Sequence, residues 1–149
     1  MIEYKRANYE DEKTINELIA LSFLWTEENC TNGLRPNTRE DLNEPCYIAV
    51  DDGKIAGYIF GHYYDIEKNF SFAEAGTHCF FIDELYVLPN YRSKGIGRKL
   101  FAMIEEEVKT KADFIDLATS TKDWRRVLRF YEEETGMSFH DAFLYKSLK

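Results

Sequence analysis

The chain has 149 residues, enough for one domain with its own core, and its 44% hydrophobic and 31% charged residues exclude intrinsic disorder. Nineteen Lys and Arg against 27 Asp and Glu give a net charge of −8, so we expect no nucleic-acid partner. The sequence shows no basic leader before an apolar run and no apolar stretch of membrane-spanning length, which predicts a cytoplasmic protein with no membrane partner. The acidic surplus is equally compatible with mere solubility and with attraction of a cationic substrate.

Strands and helices are expected to alternate in the first half of the chain. The predicted order is a strand over 2–6, a helix over 11–24, a polar connection over 25–44 with a short helix after Asn37 or Thr38, and strands over 46–50 and 55–63. The last two strands flank an Asp52-Gly53 pair, which tolerates the positive φ angles of a tight hairpin. These strands are therefore expected to be antiparallel neighbours.

The second half continues the alternation. The predicted order is a loop over 64–76, a strand over 78–88, a helix over 95–109, a short buried strand over 114–117, a helix over 123–134 and a final strand or hairpin over 137–148. No repeat or Pro/Gly/Ser-rich linker divides the chain, so we predict a single domain over 1–149. The order predicts an α/β (α+β) fold, a mixed sheet with helices on both faces.

A glycine turn between a strand and a helix is the most informative feature of the sequence. The strand ends near Val87, and Gly95 and Gly97 stand where the next helix begins. A helix start has unpaired backbone N–H groups that attract anions, and glycine lets an anion approach them closely. Basic residues surround the turn, namely Arg92, Lys94, Arg98 and Lys99. The pattern predicts a pyrophosphate site. Two other phosphate-binding loops are excluded, because the sequence lacks both the P-loop motif and the Rossmann glycine motif after the first strand.

This segment closely resembles the acetyl-CoA signature of the GNAT superfamily, V-x-P-x-x-R/Q-x-x-G-x-G/A. The fixed positions are matched by Val87, Pro89, Arg92, Gly95 and Gly97. The resemblance implies acetyl-CoA as co-substrate and a mostly antiparallel central sheet of six to seven strands, splayed at the cofactor site and flanked by about four helices. It assigns the pyrophosphate to the backbone of residues 92–97 and the pantetheine arm to the strand before it. The implied cofactor-binding residues are Tyr86, Val87, Arg92, Ser93, Lys94, Gly95, Ile96, Gly97 and Arg98.

Two adjacent acids precede the signature on the same strand. An alkylamine is mostly protonated at neutral pH, so its acetylation needs a group that removes a proton. Asp83 and Glu84 should face opposite sides of the sheet unless a bulge intervenes. Their arrangement resembles that of diamine and some aminoglycoside acetyltransferases, which implies a role in binding the amine or relaying its proton. We favour Glu84, with Asp83 second; the alternative is that one acid only forms a surface ion pair.

Tyr131 is the candidate that protonates the departing CoA thiolate. The family's last helix carries N-x-x-A-x-x-x-Y before a Gly-Phe pair, and this chain has Trp124, Val127, Tyr131 and Gly136-Met137 in similar places. Trp124 stands at the usual Asn position, and the spacing from the tyrosine to the glycine is one residue longer. The alternative is that Tyr131 is simply part of the core.

We therefore predict an acetyl-CoA-dependent N-acetyltransferase that acts directly on a small cationic amine. The acceptor cleft is expected to be walled by the first helix and its following loop, with Phe23, Trp25, Glu27 and Glu28, together with the segment between the third and fourth strands. A protein or peptide N-acetyltransferase and a non-catalytic acetyl-CoA-binding module are the alternatives. We expect no metal, since the three histidines lack ligand spacing, and exposed strand edges are compatible with a homodimer.

Overall fold

The computed structural model describes all 149 residues and contains one five-stranded sheet in the order β1-β2-β3-β4-β5. The strands are β1 (Ile2–Arg6), β2 (Cys46–Asp51), β3 (Lys54–Asp65), β4 (His78–Val87) and β5 (Phe114–Asp116), and the α-helices are α1 (Glu12–Glu28), α2 (Ile96–Val108) and α3 (Trp124–Arg129). The first three strand pairs are antiparallel and the pair β4–β5 is parallel. The predicted mixed, mostly antiparallel sheet is confirmed. No helix is both long and apolar enough to cross a membrane.

The prediction of six to seven strands is wrong. Residues 137–148 join no sheet, and Phe143 and Leu148 in this segment are 94% and 90% exposed. Alternating apolar residues are a local pattern, whereas a strand also needs the backbone of a neighbour to pair with. The count of about four helices was also slightly high, since there are three α-helices and the last continues into a π-helical turn, Phe130–Glu134.

Local signals explain where most elements begin and end. The β2–β3 hairpin turns through Asp52 at φ 48° and Gly53 at φ 75°, the positive values that the Asp-Gly pair predicts. Asp11 caps the start of α1 by accepting from the N–H of Lys13, and Asn29 ends that helix in the left-handed region. Helix α1 is thus longer than predicted and takes in the first residues of the expected polar connection.

The helices bury opposite faces of the sheet. In β3, Tyr58 and Phe60 pack in a cluster with α1, while Ile59 between them packs with α2. Helix α2 contributes residues at helical spacing, among them Leu100 and Ile104, both fully buried. Alternate residues of the central strands therefore stabilise two separate cores.

The pairing of β4 with β5 ends early. The parallel register covers only Cys79, Phe80 and Phe81 of β4, opposite residues 114–116. From Ile82 to the end of β4, the edge that faces β5 carries no partner strand. The sheet is therefore open beside the second half of β4, where the two acids and the start of the glycine turn lie.

Candidate active site

A β-bulge in β4 determines where the two acids lie. Phe60 of β3 pairs with Glu84 and Gly61 pairs with Ile82, so Asp83 is an extra residue with no partner across the strand pair. In a regular strand, Asp83 and Glu84 would face opposite sides of the sheet. Because the bulge interrupts the alternation, both side chains line the same cavity.

The cavity is acidic and is formed mainly by the connection after α1. Its volume is about 370 Å³. Its lining residues are Gly33, Leu34, Arg35, Asn37, Glu40, Asp41, Asn43, Asp83 and Glu84. Four carboxylates stand against one guanidinium, and that guanidinium is bound to Asp41 at 2.9 and 3.0 Å. The lining therefore has a net negative charge, which favours the binding of a cation.

Two buried donors hold Glu84. The Tyr58 hydroxyl donates to Glu84 Oε1 at 2.7 Å, and Asn37 Nδ2 donates to the same oxygen at 2.9 Å. No protein group donates to Oε2. Burial raises the pKa of Glu84 above its usual value, and the two hydrogen bonds oppose that rise only in part. Glu84 is therefore a better proton acceptor than an exposed glutamate.

Helix α1 positions the Asn37 donor. The backbone N–H of Asn37 donates to Ser22 Oγ at 2.8 Å, and Ser22 is a buried residue of α1 whose hydroxyl donates to the Ile19 carbonyl. A buried polar side chain of this kind is held by its hydrogen bonds. Sequence reasoning missed both Asn37 and Tyr58, which are distant from Glu84 in the chain.

Asp83 has its own partners. Asn43 Nδ2 donates to Asp83 Oδ2 at 2.7 Å, and His62 Nδ1 lies 3.0 Å from Oδ1. The His62 side chain is 44% exposed, so the pair connects the cavity wall to solvent. The contact of His62 with Asp83 could not be foreseen from the sequence. No group of three His, Cys, Asp or Glu side chains is placed to hold a metal ion.

The glycine turn presents a run of free backbone donors. The Arg92 N–H donates to the Pro89 carbonyl at 3.3 Å, and the Lys99 N–H donates to the Gly95 carbonyl at 3.0 Å. Between them, the N–H groups of residues 93–98 have no acceptor in the chain. Ser93 at φ 62° and Gly95 at φ 82° produce the turn into α2. The free N–H donors therefore belong to the six consecutive residues 93–98. The Arg92 N–H, which we expected among them, already donates to the Pro89 carbonyl.

The Arg92 side chain points back to the end of β4. Its Nε donates to the Val87 carbonyl at 2.8 Å, and its Nη2 lies 2.8 Å from Glu28 of α1. The Tyr86 hydroxyl donates to the same Glu28, and Trp25 stacks on the Tyr86 ring with centroids 5.0 Å apart. Trp25 and Glu28 therefore hold the signature strand against α1, and neither lines the acidic cavity as we had expected of an acceptor wall. Phe23 and Glu27 do not line it either.

Tyr131 lies in the π-helical turn Phe130–Glu134. A π turn contains one residue more than an α turn, which accounts for the extra residue before Gly136. Tyr131 is partly buried beside Phe101, and its hydroxyl makes no hydrogen bond within the chain. Burial raises its pKa to about 12, so the hydroxyl keeps its proton at neutral pH.

The open edge of β4 lies between the predicted site residues. Glu84 pairs with Phe60 and faces the α1 side, whereas Val87 and Tyr131 each pack against the core cluster on the α2 side. The glycine turn follows directly from the same strand. Trp124, by contrast, is 48% exposed and stacks with Arg125 at the surface, 4.2 Å from guanidinium carbon to ring centroid.

Comparisons with known proteins identify the family and the fold. The model of the Acetyltransferase (GNAT) family matches residues 12–137. No curated protein is detectably similar to the chain in sequence. Among solved structures, the aminoglycoside acetyltransferase meta-AAC0020 from an uncultured soil metagenomic sample, in complex with trehalose, superposes with a TM-score of 0.68 at 21% identity, over 99% of this chain and 97% of that chain.

Two further solved structures have the same fold. A predicted acetyltransferase of Clostridium acetobutylicum, with acetyl-CoA, superposes with a TM-score of 0.69 at 21% identity, over 99% of this chain and 97% of that chain. AAC(6')-Iy, in complex with the bisubstrate analog CoA-S-monomethyl-acetylneamine, superposes with a TM-score of 0.67 at 12% identity, over 100% of this chain and 99% of that chain. At such identities the likeness shows the fold alone.

Proposed function

Because the chain belongs to the GNAT acetyltransferase family, we propose that it transfers the acetyl group of acetyl-CoA directly to a primary amine on a small cationic acceptor. The observation that carries the proposal is the bulge, which places Asp83 and Glu84 in one acidic cavity beside the open edge of β4. Neighbours crystallised with sisomicin and with an acetylneamine analog support a small amine as the acceptor class. Acetyl-CoA supplies the activated thioester.

The glycine turn fits the pyrophosphate of acetyl-CoA. Six backbone N–H groups, those of residues 93–98, are unpaired at the start of α2, where the helix dipole also favours an anion. Arg98 makes no ion pair and Lys94 lies over the Tyr91 ring at 5.7 Å, so both cations are free of carboxylates. The Arg92 guanidinium, bound to Glu28, would act instead by fixing the end of β4.

Removal of the pyrophosphate from the cofactor is expected to weaken binding strongly. S-acetylpantetheine has the same thioester as acetyl-CoA and none of the phosphates that residues 93–98 would bind. A single hydrogen bond to a charged group is worth about 1.5–3 kcal/mol, so loss of several should raise KM for the donor about 100-fold or more. Steady-state kinetics with both donors measures this ratio. Equal KM values would mean that the turn does not bind the cofactor.

In the cavity, Glu84 would take a proton from the bound ammonium group. The acceptor amine has a pKa of roughly 10 when free and must lose a proton before its nitrogen attacks the thioester carbonyl. The acidic lining binds the cationic form, and Glu84 Oε2 is the carboxylate oxygen that no protein donor occupies. The raised pKa of Glu84 brings it closer to that of its substrate than an ordinary carboxylate would be.

Tyr131→Phe is expected to lower kcat by about 10- to 100-fold with little change in stability. The substitution removes only the hydroxyl that would protonate the CoA thiolate, and that hydroxyl has no partner in the protein to lose. Tyr4→Phe is the matched control, because Tyr4 packs in the same cluster and its hydroxyl also has no partner. If the two variants have the same kcat as the parent, Tyr131 is only part of the core.

Thiol release from acetyl-CoA, in the presence of polyamines, aminoglycosides, amino acids and short peptides, tests the whole proposal. Release that depends on a small amine supports it, and release that depends on a peptide indicates a protein or peptide N-acetyltransferase. Binding of acetyl-CoA with no release for any acceptor would indicate a non-catalytic module. Mass spectrometry of the product would locate the acetylated nitrogen.

A further inference from the structure

A carboxylate at the end of α1 contacts two residues of the signature segment. Glu28 is the last residue of α1, and its side chain is 22% exposed. It accepts from the Tyr86 hydroxyl, and its two oxygens lie 2.8 and 3.0 Å from Nη2 of Arg92. The Arg92 side chain is itself only 33% exposed. Water and salt therefore screen this ion pair less than they would a pair at the surface.

Arg92 is held in place by contacts of its backbone and of its side chain. Its N–H donates to the Pro89 carbonyl at 3.3 Å, and its Nε donates to the Val87 carbonyl at 2.8 Å. Its guanidinium carbon lies 5.5 Å from the centroid of the Tyr86 ring. All of these partners are within six residues of Arg92 in the chain. The ion pair with Glu28 is the contact that joins Arg92 to a different element of the fold.

The residue after Arg92 adopts a conformation that needs support. Ser93 has a φ of 62°, in the left-handed region that a residue with a Cβ enters at an energetic cost. Its N–H is also the first of the six free donors of residues 93–98. Several donors bind one anion together only if the turn keeps its shape, because a turn that must become ordered during binding loses affinity. A fixed Arg92 holds one end of this turn, and α2 holds the other.

Helix α1 is a firm support for this contact. Trp25, one turn before Glu28, stacks on Tyr86, and Ser22, one turn before Trp25, accepts from the N–H of Asn37. Residues three apart are neighbours on a helix surface, so these three side chains form one row. The same row therefore supports the signature strand and the donor that holds the proposed base.

We infer that Glu28 is a positioning residue for the acetyl donor, which holds Arg92 and, through Arg92, the turn that binds the pyrophosphate. The inference rests on the acetyl-CoA site proposed above. Glu28 would not touch the phosphates itself, since its carboxylate is negative and is bound to Tyr86 and Arg92. Loss of its charge releases the guanidinium and loosens the turn, but leaves the side chains around the thioester unchanged.

Two acetyl donors distinguish positioning from general damage. Glu28→Gln is expected to raise KM for acetyl-CoA about 10-fold with kcat nearly unchanged. S-acetylpantetheine has no phosphates for the turn to bind, so its KM should equal the parent's. An equal increase for both donors would indicate a merely structural role and would overturn the inference. A KM for acetyl-CoA that is unchanged, or lowered by a guanidinium that turns to the phosphates, would also overturn it.

Glu105→Gln is the control for the change in charge. Glu105 lies on α2, is exposed, and its carboxylate makes no ion pair or hydrogen bond. This variant loses the same charge as Glu28→Gln from the helix that follows the turn. Its KM values for both donors should equal those of the parent. An increase for acetyl-CoA as large as that of Glu28→Gln would assign the effect to net charge and overturn the inference.

A double-variant cycle tests whether Glu28 acts through Arg92. Arg92→Gln removes the guanidinium, so Glu28→Gln should cause no further increase of KM for acetyl-CoA in that background. The same increase in both backgrounds would overturn the inference. Calorimetric titration with CoA separates this result from failure of the proposed function. A parent that does not bind CoA would overturn both, whereas a parent that binds CoA no more tightly than Glu28→Gln would overturn the inference alone.

Discussion

Glu84→Gln is expected to lower kcat/KM for acetyl transfer by a factor on the order of 10²–10⁴, with unchanged affinity for acetyl-CoA. Glutamine keeps the oxygen that accepts from Tyr58 and Asn37 but cannot take a proton. The kinetics should be measured with the amine identified by thiol release. Acetyl-CoA binding should be measured separately by calorimetry.

The pH profile separates loss of the base from loss of structure. Burial raises the pKa of Glu84, so the parent's kcat/KM should rise with pH through a value above that of an ordinary glutamate, and the variant should lose this limb. An acid whose pKa is raised by folding destabilises the folded state when ionised, so the variant's Tm at pH 7 should be no lower than the parent's. Asp83→Asn is the matched control and should have the smaller effect. A parent-like profile in Glu84→Gln would remove Glu84 from the mechanism.

Gly61→Ala is expected to destabilise the protein by about 3 kcal/mol or more. A Cβ at this position would lie 2.0 Å from the Phe81 carbonyl oxygen and 2.8 Å from ring carbons of Phe80. The closest atom belongs to the backbone, so relief requires movement of β4 where it pairs with β3 beside the bulge. The free energy of unfolding from chemical denaturation measures the effect.

Gly76→Ala provides the comparison for Gly61→Ala. Gly76 has a φ of 89° and open space around its Cβ position, so alanine there should cost only about 1 kcal/mol of backbone strain. If Gly61→Ala is as stable as Gly76→Ala, the β3–β4 contact is less rigid than the structure indicates. If Gly61→Ala still folds, its acetyl transfer should be reduced, because a shift of the bulge would separate Asp83 from Glu84.

Features with a local cause could be predicted well from the sequence. The Asp52-Gly53 hairpin requires positive φ angles that glycine tolerates, and the structure has them. Helix α2 follows from apolar residues at helical spacing, and its start follows from Gly95. The family was evident in the same segment, since the signature from Val87 to Gly97 is a contiguous string of residues.

Features that depend on distant residues could not be predicted. From the sequence, a bulge was only the condition under which Asp83 and Glu84 would not face opposite sides of the sheet. The bulge itself results from how β4 pairs with Gly61 of β3. Nothing near Glu84 in the sequence indicated Asn37, which is held by α1, or Tyr58. Arg92 was expected at the phosphates, and its contact with Glu28 arises because the end of α1 meets the end of β4.

The sequence by itself determined most element types, the hairpin, the glycine turn and the pair of acids, because each depends on residues close together in the chain. Only the tertiary structure decided that both acids line one cavity, that the Arg92 side chain turns back to the end of β4, and that segment 142–149 finds no strand to pair with. The physical reason is that side-chain direction and strand pairing depend on backbone brought from elsewhere in the chain. Periodicity shows which residues prefer burial, but not which edge or partner is available to them.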